Sequence, residues 1–258
     1  ADGRRIFFSL SSSGTCNSNN ATGLPVNQRV WVRDGAAEPE DLAASRCTVT
    51  CGAAAAAYFE GASHDGRRAY FTTAQKLLDS DQDDRADADN ASDTDLYVHD
   101  YAYAANNRLH NVTASGSPGE GAGVHGVVRV SDDGSYVYFV ANGRALAGAN
   151  ARGDEPQVGD NNLYVYHRPR SPLAAPATIR FIDQVDPADI EGGPAPQGGP
   201  RRNLFDAQGR PVVTSSDGRF LLFLSHSDLT GERLPGDTFQ EPYRYDAVTD
   251  DLTRIWSA

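Results

Sequence analysis

The chain has 258 residues, a hydrophobic content of 39% and a formal net charge of −12. The charge argues against DNA or RNA as a partner, because phosphate backbones are bound by clustered Lys and Arg side chains. No apolar run approaches the ~18 residues of a membrane-spanning helix, whereas the hydrophobic content is enough for a packed interior in one all-β domain.

Four short segments along the chain are near-copies of one another. They cover residues 2–8, 65–71, 133–139 and 217–223. Each begins with Asp-Gly, which predicts a tight turn because Gly accepts positive φ and Asp bonds to its own backbone. Each continues into an apolar run. Alternate residues of that run are apolar on both sides, as Ile6 and Phe7 are, so we expect strands buried on both faces.

Further strands follow these turns at similar offsets. Second strands are predicted at residues 29–34, 95–100, 162–167 and 241–246, and third strands at 46–50, 108–113, 178–183 and 252–256. A strand also precedes each later Asp-Gly, at 57–63, 126–131 and 211–216. Four strands joined by turns form a meander, which is the blade of a β-propeller. The only helical turn expected lies near 38–44, and residues 186–202 are interpreted as a flexible insertion.

The turn sequence carries a family resemblance. Residues 63–71 read Ser-His-Asp-Gly-Arg-Arg-Ala-Tyr-Phe and are followed by Asp-Leu-Tyr-Val, and residues 131–139 are similar. This pattern resembles the WD40-like (PD40) repeats of TolB-type β-propellers, and the resemblance extends over all four units. The chain departs from the family motif at its Pro, which is replaced by His64, Asp132 and Ser216. The resemblance implies a fold and not a function, because such propellers serve many roles.

We therefore expect an all-β fold, a β-propeller of four-stranded antiparallel blades, in which residues 1–258 are a single propeller domain or a propeller fragment. The repeats are anchored at Asp2, Asp65, Asp133 and Asp217. Because propellers have ~4–8 blades, we favour four repeats of a six- to eight-bladed ring over a closed four-bladed one.

An acidic segment at residues 78–96 is the strongest chemical signal, with Arg85 as its only cation. Ca²⁺ prefers six to eight oxygen ligands, which alternating Asp residues supply. The predicted ligands are Asp79, Asp81, Asp83, Asp87, Asp93 and Asp95. The segment is not an EF-hand, because Asp84 stands where Gly is needed and Asn90 where a bidentate Glu is needed. The alternative is a solvated acidic loop without a metal.

The three cysteines are Cys16, Cys47 and Cys51. If residues 46–50 form an extended strand, the Cα atoms of Cys47 and Cys51 are ~13 Å apart. A disulfide requires less than ~7 Å. We therefore expect Cys47 and Cys51 not to bond each other, and Cys16 to pair with one of them; reduced cysteines are the alternative.

No pattern of nucleophile and base stands out. The serines before the Asp-Gly turns, among them Ser63, Ser131 and Ser216, are better explained by turn hydrogen bonds than by catalysis, and there is no Gly-x-Ser-x-Gly elbow. We predict a non-catalytic propeller, extracellular or periplasmic, whose loops bind a protein or glycan. The alternative is the propeller part of a hydrolase or glycan lyase whose catalytic groups lie in its channel or outside this chain.

Overall fold

The computed structural model describes residues 4–11, 28–49, 51, 54–81, 94–114, 121–170, 175–191, 204–205, 212–233 and 239–255. The strands in these ranges are β1 (Arg5–Ser11), β2 (Gln28–Asp34), β3 (Glu40–Asp41), β4 (Ala57–Ala62), β5 (Arg68–Thr73), β6 (Asp95–Asp100), β7 (Leu109–Asn111), β8 (Val124–Val130), β9 (Tyr136–Ala141), β10 (Asn162–His167), β11 (Thr178–Gln184), β12 (Val212–Thr214), β13 (Phe220–Ser225), β14 (Glu241–Asp246) and β15 (Asp251–Arg254). One short helix, α1 (Pro187–Glu191), follows β11. Within these ranges no helix is long and apolar enough to cross a membrane.

The strands form four antiparallel meanders. The first sheet has the order β1-β2-β3, and the others have the orders β4-β5-β6-β7, β11-β10-β9-β8 and β12-β13-β14-β15. In each four-stranded sheet the strand before the Asp-Gly turn pairs with the strand after it, as β4 does with β5. These sheets confirm the predicted all-β fold built from propeller blades. The single-domain organisation and the number of blades stay predictions.

The chain divides into two compact units, residues 1–124 and 125–258. In the first unit, Val30 and Val32 of β2 pack with Ala69 and Phe71 of β5. Every residue of β5 is buried, as expected for a strand apolar on both faces. The same expectation is wrong for β1 and β13, where Ile6 and Leu222 are 58% and 38% exposed. In the second unit, the core joins residues of β9 and β10 to residues of β13 and β14.

The Asp-Gly turns are held by a repeated hydrogen-bond pattern. In one copy Ser131 Oγ donates to Asp133 Oδ1 at 2.9 Å and accepts from the backbone N–H of Tyr136 at 3.0 Å. The same bonds recur around Ser63 and around Ser215. The serine that holds the Asp217-Gly218 turn is therefore Ser215, not Ser216, because the motif places one residue between Ser and Asp.

One predicted strand is wrong. Residues 46–49 are not in a strand, and the third strand of the first sheet is instead β3, whose Asp41 lies opposite Trp31. Asp41 accepts from Arg29 at 3.0 Å and from the N–H of Ala43 at 2.9 Å, which holds this short strand against β2. The N–H groups of Thr48 and Val49 bond to Asp79 instead of to a neighbouring strand.

The expected cysteine pairing is also wrong. Cys47 and Cys51 form a disulfide, with their Cα atoms 5.5 Å apart. The ~13 Å expectation assumed an extended strand, whereas this segment folds back where it bonds to Asp79. With both cysteines in one bond, neither is available to Cys16, which lies outside the described residues.

The insertion after β11 contains structure that the sequence analysis did not predict. Asp186 caps helix α1, because its Oδ1 accepts from the N–H of Ala188 at 2.8 Å. Pro187 occupies the first helical position, where its missing N–H costs nothing.

Candidate functional site

The blades share one cross-strand position whose Asp is kept in three blades and is replaced by His167 in the third. In each blade the first residue of the strand after the Asp-Gly turn lies opposite the last residue of the following strand. The four pairs are Arg5–Asp34, Arg68–Asp100, Tyr136–His167 and Phe220–Asp246. In three blades the Asp forms an ion pair. Arg68 Nε lies 3.0 Å from Asp100, and Arg5 Nε lies 3.1 Å from Asp34. In the fourth blade the arginine is Arg219, one residue before Phe220, and it lies 2.6 Å from Asp246. The Arg219 bond holds the pKa of Asp246 well below its usual range.

In the third blade two rings replace the ion pair. The rings of Tyr136 and His167 stack with their centroids 4.2 Å apart and their planes 14° apart. A cavity of about 290 Å³ opens beside them within the second unit. Its lining residues are Tyr136, Val165, His167, Thr178, Arg180, Ala247 and Val248. This size is near the lower end for small-ligand pockets and suits one side chain or one sugar ring.

The lining combines apolar surface with one fixed cation. Arg180 donates through Nη1 to the carbonyl oxygen of Ala247 at 2.9 Å, which orients its guanidinium while leaving further donors. Val248, at the rim, is 56% exposed. Burial raises the pKa of Tyr136, so its phenol is neutral at physiological pH. The lining residues include no carboxylate.

Of the predicted calcium ligands the structure describes three, Asp79, Asp81 and Asp95. Asp79 is exposed and bonds to Thr48 Oγ1 and N, both at 2.7 Å, and these bonds lower its pKa. Asp81 and Asp95 are both 2% exposed and come together at the two ends of the acidic segment. Asp83, Asp87 and Asp93 lie outside the described residues. In the described part of the chain no three His, Cys, Asp or Glu residues are grouped to hold a metal.

The Asp81–Asp95 pair is held by neutral donors. Tyr97 donates to Asp81 Oδ2 at 2.5 Å, while Thr113 Oγ1 and Asn111 Nδ2 donate to Asp95 at 2.6 and 2.9 Å. Burial, followed by the charge of Asp81, raises the pKa of Asp95 to about 8. At neutral pH the pair therefore carries a proton in place of a second charge.

A histidine–carboxylate cluster lies beside α1. Asp189, which is fully buried, accepts from Ser225 Oγ at 2.6 Å and from His226 Nδ1 at 2.7 Å. Gln240 donates to the same carboxylate at 3.2 Å. This is not a catalytic triad, because Ser225 bonds to the carboxylate and not to the imidazole. Asp189 lies in the segment predicted to be a flexible insertion, and Asp186-Pro187 is the helix-start signal that indicates α1 there.

Comparison with known proteins yields structural likeness alone. No family model matches the chain, and no curated protein matches it. A crystal structure of TolB from Acinetobacter baumannii is 11% identical, with 97% of this chain and 40% of that chain covered and a TM-score of 0.40. A crystal structure of the tricorn protease is 13% identical, with 88% and 20% covered and a TM-score of 0.38. The chain thus spans less than half the length of either, and at these scores neither likeness supports an inference about its function.

Proposed function

We propose that the chain is a binding module that receives an apolar or aromatic side chain of a protein partner in the Tyr136–His167 cavity. The observation that carries this proposal is the exchange of a repeated Arg–Asp ion pair for a stacked ring pair beside an open cavity. The ion pairs at this position join two neighbouring strands of a blade. The aromatic rings that replace them in the third blade provide a surface on which another ring can stack.

The chemistry of the lining favours a protein over a glycan. Sugar hydroxyls need several hydrogen-bonding side chains, whereas the exposed surface of the lining is mostly apolar. An apolar side chain needs fewer, and the exposed Val248 extends the apolar surface beyond the rim. The remaining donors of Arg180 suit a carbonyl or carboxylate oxygen of the same segment.

Two further features belong to this proposal. The Cys47–Cys51 disulfide favours an oxidising location, extracellular or periplasmic. The repeated Ser-x-Asp-Gly turn supports assignment of the blades to the WD40-like class.

Calcium binding at the acidic segment also remains proposed, supported by the two buried carboxylates at its ends. The probe is calorimetric Ca²⁺ titration of the wild type and of Asp81→Asn. Loss of saturable binding in the variant supports the site, and equal binding contradicts it.

The cavity is tested by selecting a phage-displayed random peptide library on the wild-type chain. Selected peptides are then titrated against Tyr136→Ala, Arg180→Gln and a control, Arg244→Gln, which changes an exposed arginine on β14. We expect at least a tenfold loss of affinity, ~1.4 kcal/mol, for the two cavity variants and none for the control. Circular dichroism confirms folding of each variant.

Two results contradict this proposal. If the selected peptides bind all variants with equal affinity, the binding surface lies outside the cavity. If the library yields no binder and the chain binds a glycan array, the partner is a glycan and not a protein.

A further inference from the structure

His99, on β6 in the first unit, is a buried histidine whose imidazole makes no hydrogen bond to the described residues. Its side chain is 0% exposed, and neither Nδ1 nor Nε2 has a hydrogen-bond partner among the described residues. Burial, together with the charges of Arg46 and Arg108, lowers its pKa to about 3, so the ring is neutral. A neutral imidazole has one donor and one acceptor. Buried polar groups are nearly always satisfied, so both atoms require an explanation such as a bound ion or molecule.

A second unsatisfied group lies next to this ring. The Tyr101 ring is 4.8 Å from the His99 ring, and its buried Oη has no described hydrogen-bond partner. Two guanidinium groups lie over the same tyrosine ring: Arg5 at 4.0 Å and Arg108 at 4.7 Å. Polar atoms from β6 and from the turn after it are therefore gathered around one tyrosine.

The positive charges here are incompletely neutralised. Arg5 is paired with Asp34. Arg108 donates to the carbonyl oxygen of Tyr103 at 3.4 Å, and no ion pair among the described residues includes Arg108 or Arg46. Among the described residues the carboxylate paired with His99 is that of Glu40, whose Oε1 lies 3.9 Å from Nε2 on a side chain that is 49% exposed.

We propose that Arg46, His99, Tyr101 and Arg108 form a binding site for a small oxyanion of the phosphate or carboxylate class. Such an anion supplies acceptors to the imidazole N–H, the phenol and the guanidinium groups, and it neutralises the excess charge. A water molecule would satisfy the hydrogen bonds but leave two guanidinium groups without a counter-charge. A metal cation is disfavoured, because the same two groups repel it. Glu40, whose side chain is 49% exposed, turns to solvent when the anion binds.

The test is isothermal titration of the whole chain with sodium phosphate and, separately, with sodium acetate at constant ionic strength. The variants are Arg46→Gln and Arg108→Gln, and the control is Arg33→Gln, which removes the same charge from an exposed position in the same unit. We expect saturable binding to the wild type and control, and at least tenfold weaker binding to the two site variants. Phosphate binding without acetate binding assigns the phosphate class, and acetate binding assigns the carboxylate class.

A second measurement does not depend on the variants folding. The imidazole ¹⁵N resonances of His99 are followed by NMR while phosphate or acetate is added, with the exposed His64 as an internal reference. We expect the His99 resonances to shift along a saturation curve with the midpoint found by calorimetry. Binding of equal strength in all four proteins, or no saturable binding of either anion, overturns the proposal, as does a His99 resonance that stays unchanged at saturation.

Discussion

The hydroxyl of Tyr138, on β9, donates a 2.6 Å hydrogen bond to the carbonyl oxygen of Gly218, in the turn that precedes β13. The bond ties two consecutive blades of the second unit together at the Asp-Gly turn. Tyr138 is fully buried, and burial raises its pKa above the ordinary value for tyrosine. Its phenol therefore stays a donor over the whole physiological range.

Tyr138→Phe removes this bond and leaves the ring in place. We expect a loss of about 1–2 kcal/mol in the free energy of unfolding, because the buried carbonyl oxygen of Gly218 loses its strongest donor. Urea denaturation measures the loss. The control is Tyr58→Phe, at a partly buried tyrosine of β4 in the first unit. A loss no larger than the control's shows that the bond between the blades contributes nothing.

Gly218→Ala tests the close approach at the same turn. A Cβ at residue 218 would lie 2.5 Å from Ser131 Cβ and 2.7 Å from Tyr136 Cβ, and φ is +75°. We expect a loss of about 2–4 kcal/mol, from the left-handed backbone and from overpacking. Gly153→Ala is the matched control, because φ is +92° there with no atom within 4 Å. Equal losses in the two variants would assign the effect to the backbone alone.

The sequence was sufficient for the blades because their signals are local. An Asp-Gly turn followed by an apolar run places β5, β9 and β13 within a few residues of their observed bounds. Residues 46–50 failed because their partner is the distant carboxylate of Asp79, and a side chain 31 residues away leaves no trace in a local pattern. The Cys47–Cys51 bond was missed for the same reason.

The candidate sites were predictable only in part. Asp81 and Asp95 were named as ligands, but sequence could not show that burial brings these two together while Asp79 turns to another segment. Tyr136 and His167 were visible as departures from an Arg–Asp position once the repeats are aligned, yet only the register shows that they face each other. The lack of hydrogen-bond partners at the His99 imidazole depends on the packing of two sheets, and no local sequence pattern indicates it.

The Asp81–Asp95 pair predicts an unusual dependence of stability on pH. The pKa of Asp95 is raised from 3.8 to about 8. The folded state therefore keeps a proton that the unfolded chain releases, and the contribution is complete below about pH 4 and is lost as pH rises through 8. We expect the urea midpoint of the wild type to fall between about pH 5 and pH 9 more steeply than that of Asp95→Asn. Parallel curves would refute the shared proton.

Added Ca²⁺ extends this test. A cation between the two carboxylates favours their charged forms, so saturating Ca²⁺ should flatten the wild-type curve. Asp79→Asn is the control, because its carboxylate bonds to residues 48–49 and not to the pair. If Ca²⁺ leaves the wild-type curve as steep as before, calcium does not bind at the pair.

The disulfide predicts a simple chemical outcome. Alkylation of the unfolded, unreduced chain should label Cys16 alone, and a non-reducing digest should contain Cys47 and Cys51 joined within one peptide, detected by mass spectrometry. Replacing both with Ser should lower the free energy of unfolding by about 2 kcal/mol, since the closed loop is short. A peptide that joins Cys16 to either residue contradicts the observed pairing.

The repeated Arg–Asp position predicts a contrast between two blades. Arg68 and Asp100 have side chains 1% and 0% exposed, whereas the side chain of Arg219 is 41% exposed beside Asp246. Arg68→Met removes the closer of the two arginines from a buried carboxylate, and Arg67 lies farther away, at 3.7 Å, so we expect a loss of about 3–5 kcal/mol. Arg219→Met should cost less, because the lost arginine is itself 41% exposed and Asp246 keeps the N–H bond from Val248 at 2.9 Å. Chemical denaturation measures the free energy of unfolding of the two variants. Equal losses would mean that burial does not determine how much this ion pair stabilises a blade.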